Sequence, residues 1–445
     1  MDYLGIDWGT QSSKWALQTE SGNTVIGPIW DSSVSRIGEK LFMSTMDERF
    51  NDPSKEIALK RKLIQDPDQS FWEGTRPKLG VTLGEAVVFS ILTLLLDAHR
   101  NQATKGRNIV SQDLTIRFSH PNWITADNVR ALGCFRDAAV AAMRIFLAGI
   151  KYVQNSRSIM VKLADLREAV QFHRSVAGNP PMFPTDYSHD EYLKGSRGSI
   201  GSTMWELVFE SCAAGFPYLL QGDRQTFDGD LRKFPANKRI RKILVVDVGA
   251  GSTDAGYMVR TVRPRDAKGL MKPLLIWVPA ADALEIAGRW LTDKILNDFK
   301  QQGRRDTAVE AEEYKINNRN WYSKPYVREW TTLIGDHVKE YASGIRDDIC
   351  LPNKPELEVI LTGGSSVVAP LKEIVLQDVK TALKHRGLGV SAKLMGLVQP
   401  ETHGRSYREV EVAQLAVSLG ASDPRLAELK AYPEGLLGAP FAATV

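Results

Sequence analysis

Two stretches of this chain alternate apolar and polar positions in the same way. Ile243 to Val246 form an unbroken apolar run, which predicts a buried strand. Asp247 follows, then the small residues Gly249, Ala250, Gly251, Ser252 and Thr253, then Asp254, and a second apolar run from Ala255 to Val259. A strand, a turn nearly free of side chains and a returning strand predict a hairpin whose backbone N–H groups can face an anion. Glycine permits both positive φ and close approach there. Residues 4–17 repeat the pattern, matching Leu4, Asp7, Gly9 and Ser12 to Leu244, Asp247, Gly249 and Ser252. Such repetition points to two related halves, each offering one hairpin to the same ligand. An Asp-x-Gly turn alone is a common hairpin turn; two in register at strand ends say more.

The remaining pattern places elements around these hairpins. Residues 3–8, 13–19 and 24–29 predict three antiparallel strands. Residues 31–78 are charged and broken by Asn51-Asp52-Pro53 and Asp66-Pro67, with a short helix over 54–64 carrying Lys60, Arg61 and Lys62. Thr82 and Glu85 read as a capping box opening a helix to about Arg100. A strand over 113–119, a break at His120-Pro121-Asn122 and a helix over 126–151 follow. Residues 152–200, with a helix at 158–173, read as an inserted excursion: a lid, a partner-docking loop or a tolerated insertion. Residues 204–220 read as strand then helix with Glu210 at the junction, and 221–242 as a connector. Beyond the second hairpin come a strand at 273–278, a helix at 282–300 and a charged helical segment over 301–340. A strand at 358–362 leads through Gly363, Gly364, Ser365 and Ser366 into a helix with Pro370 in its first turn. A helix at 410–419 and a tail at 423–445 close the chain.

Composition narrows the class. A length of 445 residues predicts two or three domains, and 43% apolar with 25% charged residues is ordinary for a globular protein. The net charge of +4 is spread out and makes no case for nucleic acid. Cys134, Cys212 and Cys350 are far apart, with neither disulfide nor metal spacing, which predicts a reducing cytoplasm. The longest apolar stretch, 86–96, is too short to span a bilayer. A strand at the N-terminus predicts no signal peptide. No P-loop run, complete dinucleotide fingerprint or G-x-S-x-G elbow occurs.

The residue inventory suits a magnesium-bound nucleoside triphosphate. Magnesium keeps most of its waters and uses few carboxylates, and Asp7 and Asp247 are placed for that. Thr10, Ser12, Ser13, Ser252 and Thr253 can cradle phosphate oxygens. A lysine of the 60–62 cluster can neutralise charge on the transferring group, and Glu210 can orient a water. The turn at 361–366 would let a flat ring lie against backbone; alone it reads as a plain strand–Gly turn–helix junction, and following two phosphate hairpins it predicts adenosine.

Three segments together resemble a known family. Residues 4–17 (LGIDWGTQSSKWAL) and 245–259 (VVDVGAGSTDAGYMV) resemble the two phosphate motifs of the actin, sugar-kinase and heat-shock protein 70 ATPase superfamily. Residues 359–375 (VILTGGSSVVAPLKEIV) resemble its adenosine motif, and the closest likeness is to the ATPase domain of DnaK-type chaperones. Segments 58–64, 118–132, 209–220, 312–316 and 412–421 follow in that family's order. The resemblance implies an α/β, two-lobed actin-like fold, a duplicated ribonuclease H-like unit, with the nucleotide in the interlobe cleft. Lobe I would span 1–225, with insertions at about 31–109 and 152–200. Lobe II would span 226–422, with an insertion at about 286–340, and 423–445 would be the tail. It implies ATP or ADP and Mg2+ as ligands. Asp7 and Asp247 would hold magnesium through water, Thr10 and Ser252 would lie near the γ-phosphate, and Glu210 would polarise the attacking water. Lys60 is the implied catalytic lysine, and a small shift in the alignment would put Arg61 or Lys62 in its place. Gly9, Thr10, Gln11, Ser12, Ser13, Gly249, Ala250, Gly251, Ser252 and Thr253 would hold phosphate. Gly363, Gly364, Ser365, Glu312 and Lys315 would hold the nucleoside.

The chain also departs from the family. Ala250 replaces a usual glycine, Ser211 stands where proline is usual, and nothing after residue 422 reads as a peptide-binding β-sandwich. The resulting expectation is a slow ATPase whose lobe movement controls an unidentified protein partner. An actin-like filament former and an inactive nucleotide-binding scaffold are the alternatives.

Overall fold

The structure, a computed structural model, describes residues 1–46, 56, 59–65, 71–111, 113–121, 123, 129–155, 157–177, 195–219, 241–265, 270–279, 283–345, 356–385, 391–397, 400 and 407–431. It is a mixed α/β chain with several sheets and, among the described residues, ten α-helices. It divides into two compact units, 1–213 with 417–424 and 214–416 with 425–445.

The first unit holds strands β1 (Asp2–Asp7), β2 (Ser12–Gln18), β3 (Thr24–Ile26), β4 (Trp30–Asp31), β5 (Ser35–Ile37) and β6 (Lys40–Ser44). Helices α1 (Leu59–Gln65) and α2 (Leu83–Ala103) follow, then β7 (Leu114–His120), α3 (Val129–Ala148), β8 (Val153–Gln154), β9 (Ser158–Lys162) and α4 (Leu163–Ala177). Strands β10 (Arg197–Ile200) and β11 (Thr203–Phe209) lead into α5 (Glu210–Leu219), of which residues 210–213 belong to this unit. The main sheet runs β10-β11-β7-β1-β2-β3; β1 is antiparallel to β2 and parallel to β7, which is parallel to β11. Thr82 caps α2 with both halves of the capping box. That helix is buried along most of its length, as its apolar run requires.

The second unit repeats this order. It comprises β12 (Arg241–Val248), β13 (Thr253–Arg265), β14 (Leu270–Pro279), α6 (Gly288–Gln301), α7 (Ala308–Asn317) and α8 (Pro325–Gly344). Strand β15 (Leu357–Thr362), α9 (Ala369–His385), β16 (Ala392–Leu394), α10 (Glu409–Ala421) and β17 (Leu429–Ala431) complete it. Its sheet runs β16-β15-β12-β13-β14-β17, with β12 antiparallel to β13 and parallel to β15. Counting the first three strands and the two parallel ones in chain order, both sheets read 3-2-1-4-5. Apolar residues of β12, β13 and β15 pack under α6, α8 and α9 as one core that includes Leu244, Val246, Trp330 and Leu371.

Five segments differ from the sequence reading, the first being 35–44, where no strand was expected and β5 and β6 pair antiparallel. Residues 158–162 are strand, not helix, because alternate side chains are buried as β9 pairs with β6. Residues 153–162 therefore complete a four-stranded sheet, β5-β6-β9-β8, and β10 extends the main sheet. The helix expected from 282 begins at Gly288, because Leu284 exchanges backbone hydrogen bonds of 2.8 and 2.9 Å with Thr253 and stays extended. Part of the expected tail forms β17, parallel to β14. The stretches 178–194, 220–240 and 432–445, and Cys350, lie outside the described residues. No described helix is long and apolar enough to cross a membrane.

Asp97 on α2 ties several of these elements together. Its Oδ2 accepts from the indoles of Trp15 (2.7 Å) and Trp30 (3.0 Å), and its Oδ1 from Gln154 Nε2 (3.3 Å). Burial pushes its carboxyl above the usual range, more than these donors and Arg100 pull it down. The folded state then holds a proton there more tightly than the unfolded chain does. Stability from this group falls as pH rises from the ordinary carboxylate range through the raised value. Asp97→Asn is expected to flatten that part of the profile, read as the wild-type minus variant melting temperature across a pH series. Parallel profiles would refute it.

Candidate functional site

In the first unit the candidate residues collect at the carboxyl ends of the parallel strands, where open α/β sheets bind ligands. Strand β1 ends at Asp7, and the chain turns at Gly9, where a Cβ would lie 2.2 Å from Ser12 O. Only glycine fits there. Asp7 Oδ1 accepts from Ser119 Oγ on β7 at 3.3 Å, and its Oδ2 from Lys14 Nζ on β2 at 2.8 Å. Thr10 and Gln11 are half-buried at the turn, and Ser12 and Ser13 are buried at the start of β2. Ser13 Oγ shares a 2.7 Å hydrogen bond with Ser32 Oγ.

Lys60 on α1 forms a buried ion pair with Glu210, the first residue of α5. Of the three basic neighbours, Lys60 is the one brought to Glu210: Arg61 is exposed, and Lys62 pairs with Glu56. The Lys60 ammonium lies 5.9 Å from the centre of a Trp123 ring, and His120 packs 4.6 Å from Phe209. Burial, reinforced by the Lys60 charge, pushes the His120 imidazole down to about 3, although its bond to Pro121 O opposes this. His120 is therefore neutral, with Nδ1 donating to Pro121 O at 2.6 Å. Sequence reasoning used His120-Pro121-Asn122 only as a strand breaker and did not single out Lys14, Ser119 or Trp123. The register of β1 against β2 and β7 was the missing signal.

In the second unit Asp247 is the last residue but one of β12, and its Oδ1 accepts from Thr362 Oγ1 on β15 at 2.9 Å. Asp247 stands directly opposite Asp254 in the hairpin, whose Oδ2 accepts from Ser252 Oγ at 3.0 Å. Gly249 N donates to Ser252 O at 3.0 Å and closes the turn. The first N–H groups of α6 reach back to it, Gly288 N to Gly249 O (3.0 Å) and Arg289 N to Ala250 O (2.8 Å). Gly363 has φ +82°, and a Cβ there would meet Val248 O at 2.4 Å and Asp247 Oδ1 at 2.7 Å. The turn after β15 thus lies against the second hairpin, and Ser365 Oγ approaches Gly249 O at 3.4 Å.

Glu312 and Lys315 of α7 pair at 2.8 Å. Lys315 Nζ also donates to Gly288 O (3.1 Å) and Thr292 Oγ1 (3.0 Å), and the Thr292 hydroxyl donates to Glu312. Three distant stretches of sequence, 249–253, 312–315 and 363–365, therefore converge on one side of this unit. Gly364 faces Gln414 of α10, and Gly251 lies between Ala250 and Ser252 in the hairpin turn. Thr253 needs correction as a phosphate cradle. It is fully buried, its hydroxyl donates to Ile286 O (2.8 Å) and its N–H to Leu284 O (2.8 Å).

The two aspartates differ in surroundings. Asp247, across the strands from Asp254 and accepting from Thr362, could hold a largely hydrated magnesium, which uses few carboxylates. Asp7 already carries an ammonium on one oxygen. Among the described residues, no group of three or more His, Cys, Asp or Glu forms an all-protein metal cage. No protein-family model matches this chain, and no curated protein matches it.

Proposed function

We propose that this chain is an ATP-binding protein of the actin and heat-shock protein 70 superfamily, with a duplicated ribonuclease H-like, two-lobed fold. In this reading it is DnaK-like: it hydrolyses ATP slowly with magnesium, and the lobe movement controls a protein partner. One observation carries the reading. Each unit has the 3-2-1-4-5 strand order, and each places an aspartate within the last two residues of its first strand. A hydroxyl on the neighbouring parallel strand then donates to each of them, Ser119 to Asp7 and Thr362 to Asp247. Duplicated turns with backbone N–H groups, each beside a carboxylate, suit a ligand with repeated negative groups and a cation, such as a magnesium-bound polyphosphate.

Within this reading, the hairpin turns contribute backbone N–H groups to the phosphates. Lys60 supplies positive charge, and Glu210 holds the water once the two separate from each other. Glu312, Lys315, Ser365 and the Gly363-Gly364 backbone receive the nucleoside. Magnesium at Asp247 would offset charge on the phosphates. The first experiment is equilibrium binding of a fluorescent ATP analogue, followed by anisotropy with magnesium present and competed with ATP, ADP, AMP and GTP. ATP and ADP should displace it far better than AMP. No saturable binding, or displacement by AMP alone, would overturn the reading.

A further inference from the structure

The two hairpins share a backbone plan but not a charge plan. In β1 and β2, Asp7 pairs across the strands with Lys14; in β12 and β13, the equivalent pair is Asp247 with Asp254. Residues directly opposite in an antiparallel pair project from the same face. The first position therefore carries one negative and one positive group, and the second carries two carboxylates. The Lys14 ion pair is fully formed at 2.8 Å, with both side chains under a tenth exposed. The ammonium also lies beneath the turn itself, 3.9 Å from where a Cβ of Gly9 would sit. A divalent cation approaching Asp7 would have to displace this ammonium or sit beside it, and like charges at such separations repel strongly.

We propose that Lys14 is a tethered counter-ion that excludes the divalent cation from Asp7, so that the metal demand of bound nucleotide falls on the second hairpin alone. This rests on the nucleotide reading above and deepens it. The first turn is neutral without metal, and its share of the binding energy is independent of magnesium. Removing the ammonium exposes the Asp7 carboxylate, which then opposes phosphate unless a cation is recruited.

The test is equilibrium binding of the fluorescent ATP analogue in excess magnesium and in EDTA. It is run on the wild type, Lys14→Met, Lys14→Arg and the double variant Asp7→Asn/Lys14→Met. Lys14→Met should increase the ratio of affinities with and without magnesium by roughly tenfold or more. Lys14→Arg should restore the wild-type ratio. The double variant, which removes both charges and so leaves no unpaired buried ion, should also show the wild-type ratio. An unchanged ratio in Lys14→Met, in protein that unfolds cooperatively, overturns the proposal while leaving nucleotide binding intact. Equal loss of affinity in both conditions assigns Lys14 a purely structural or direct binding role and overturns it as well. Failure of every form to bind under any condition overturns the nucleotide reading instead.

Discussion

Lys60→Met is expected to destabilise the first unit by about 3–5 kcal/mol, the usual cost of leaving one partner of a buried ion pair uncompensated. Lys60 and Glu210 are each about nineteen-twentieths buried, so water cannot take over solvation of the abandoned carboxylate. Lys60→Met/Glu210→Gln removes both charges and should regain most of the loss. Urea unfolding of the three proteins at neutral pH checks this. Equal instability of the single and double variants would show that the alkyl stem of Lys60, packed near Trp123, matters more than its charge.

On the ATPase reading proposed above, Asp247→Asn is expected to lower magnesium-dependent ATP turnover by roughly a hundredfold or more, the scale on which preorganised electrostatic groups act. The fold should tolerate the change, since the Asn Oδ1 can still accept from Thr362 Oγ1, the bond that Asp247 makes at 2.9 Å. Neutralising Asp247 leaves Asp254 as the single carboxylate of the cross-strand pair and halves the negative charge there. Asp7→Asn in the first unit should cost much less metal dependence, because Lys14 already balances that carboxylate. Phosphate release measured against magnesium concentration separates the two aspartates. Unchanged turnover in Asp247→Asn would count against the site, whereas a loss accompanied by a lowered melting temperature would only report a damaged fold.

Much of the local structure was legible because it is written in short-range signals. The capping box at Thr82 and Glu85 marks the start of α2. Glu210 at a strand-to-helix junction is where α5 begins, and the turn at 363–366 ends β15 as its glycines suggest. Strand β9 was not legible: Ser158–Lys162 has the apolar content of either a strand or a helix start. Only its pairing with Lys40–Ser44, more than a hundred residues earlier, decides the matter. The same holds for β17, whose three residues form a strand because β14 offers an edge.

The candidate site divides along the same line. The sequence by itself determined the two Asp-x-Gly turns and their internal repetition, since strand periodicity and glycine's steric freedom are properties of neighbouring residues. Tertiary structure decided which side chains meet at those turns. It selected Lys60 from three basic neighbours, spent the Thr253 hydroxyl on Ile286, set Ser119 and Thr362 beside the aspartates, and put Lys14 against Asp7 where the other hairpin has Asp254. Ion pairs and buried hydrogen bonds depend on strand register and distance in space, and residues far apart along a chain carry no local record of either.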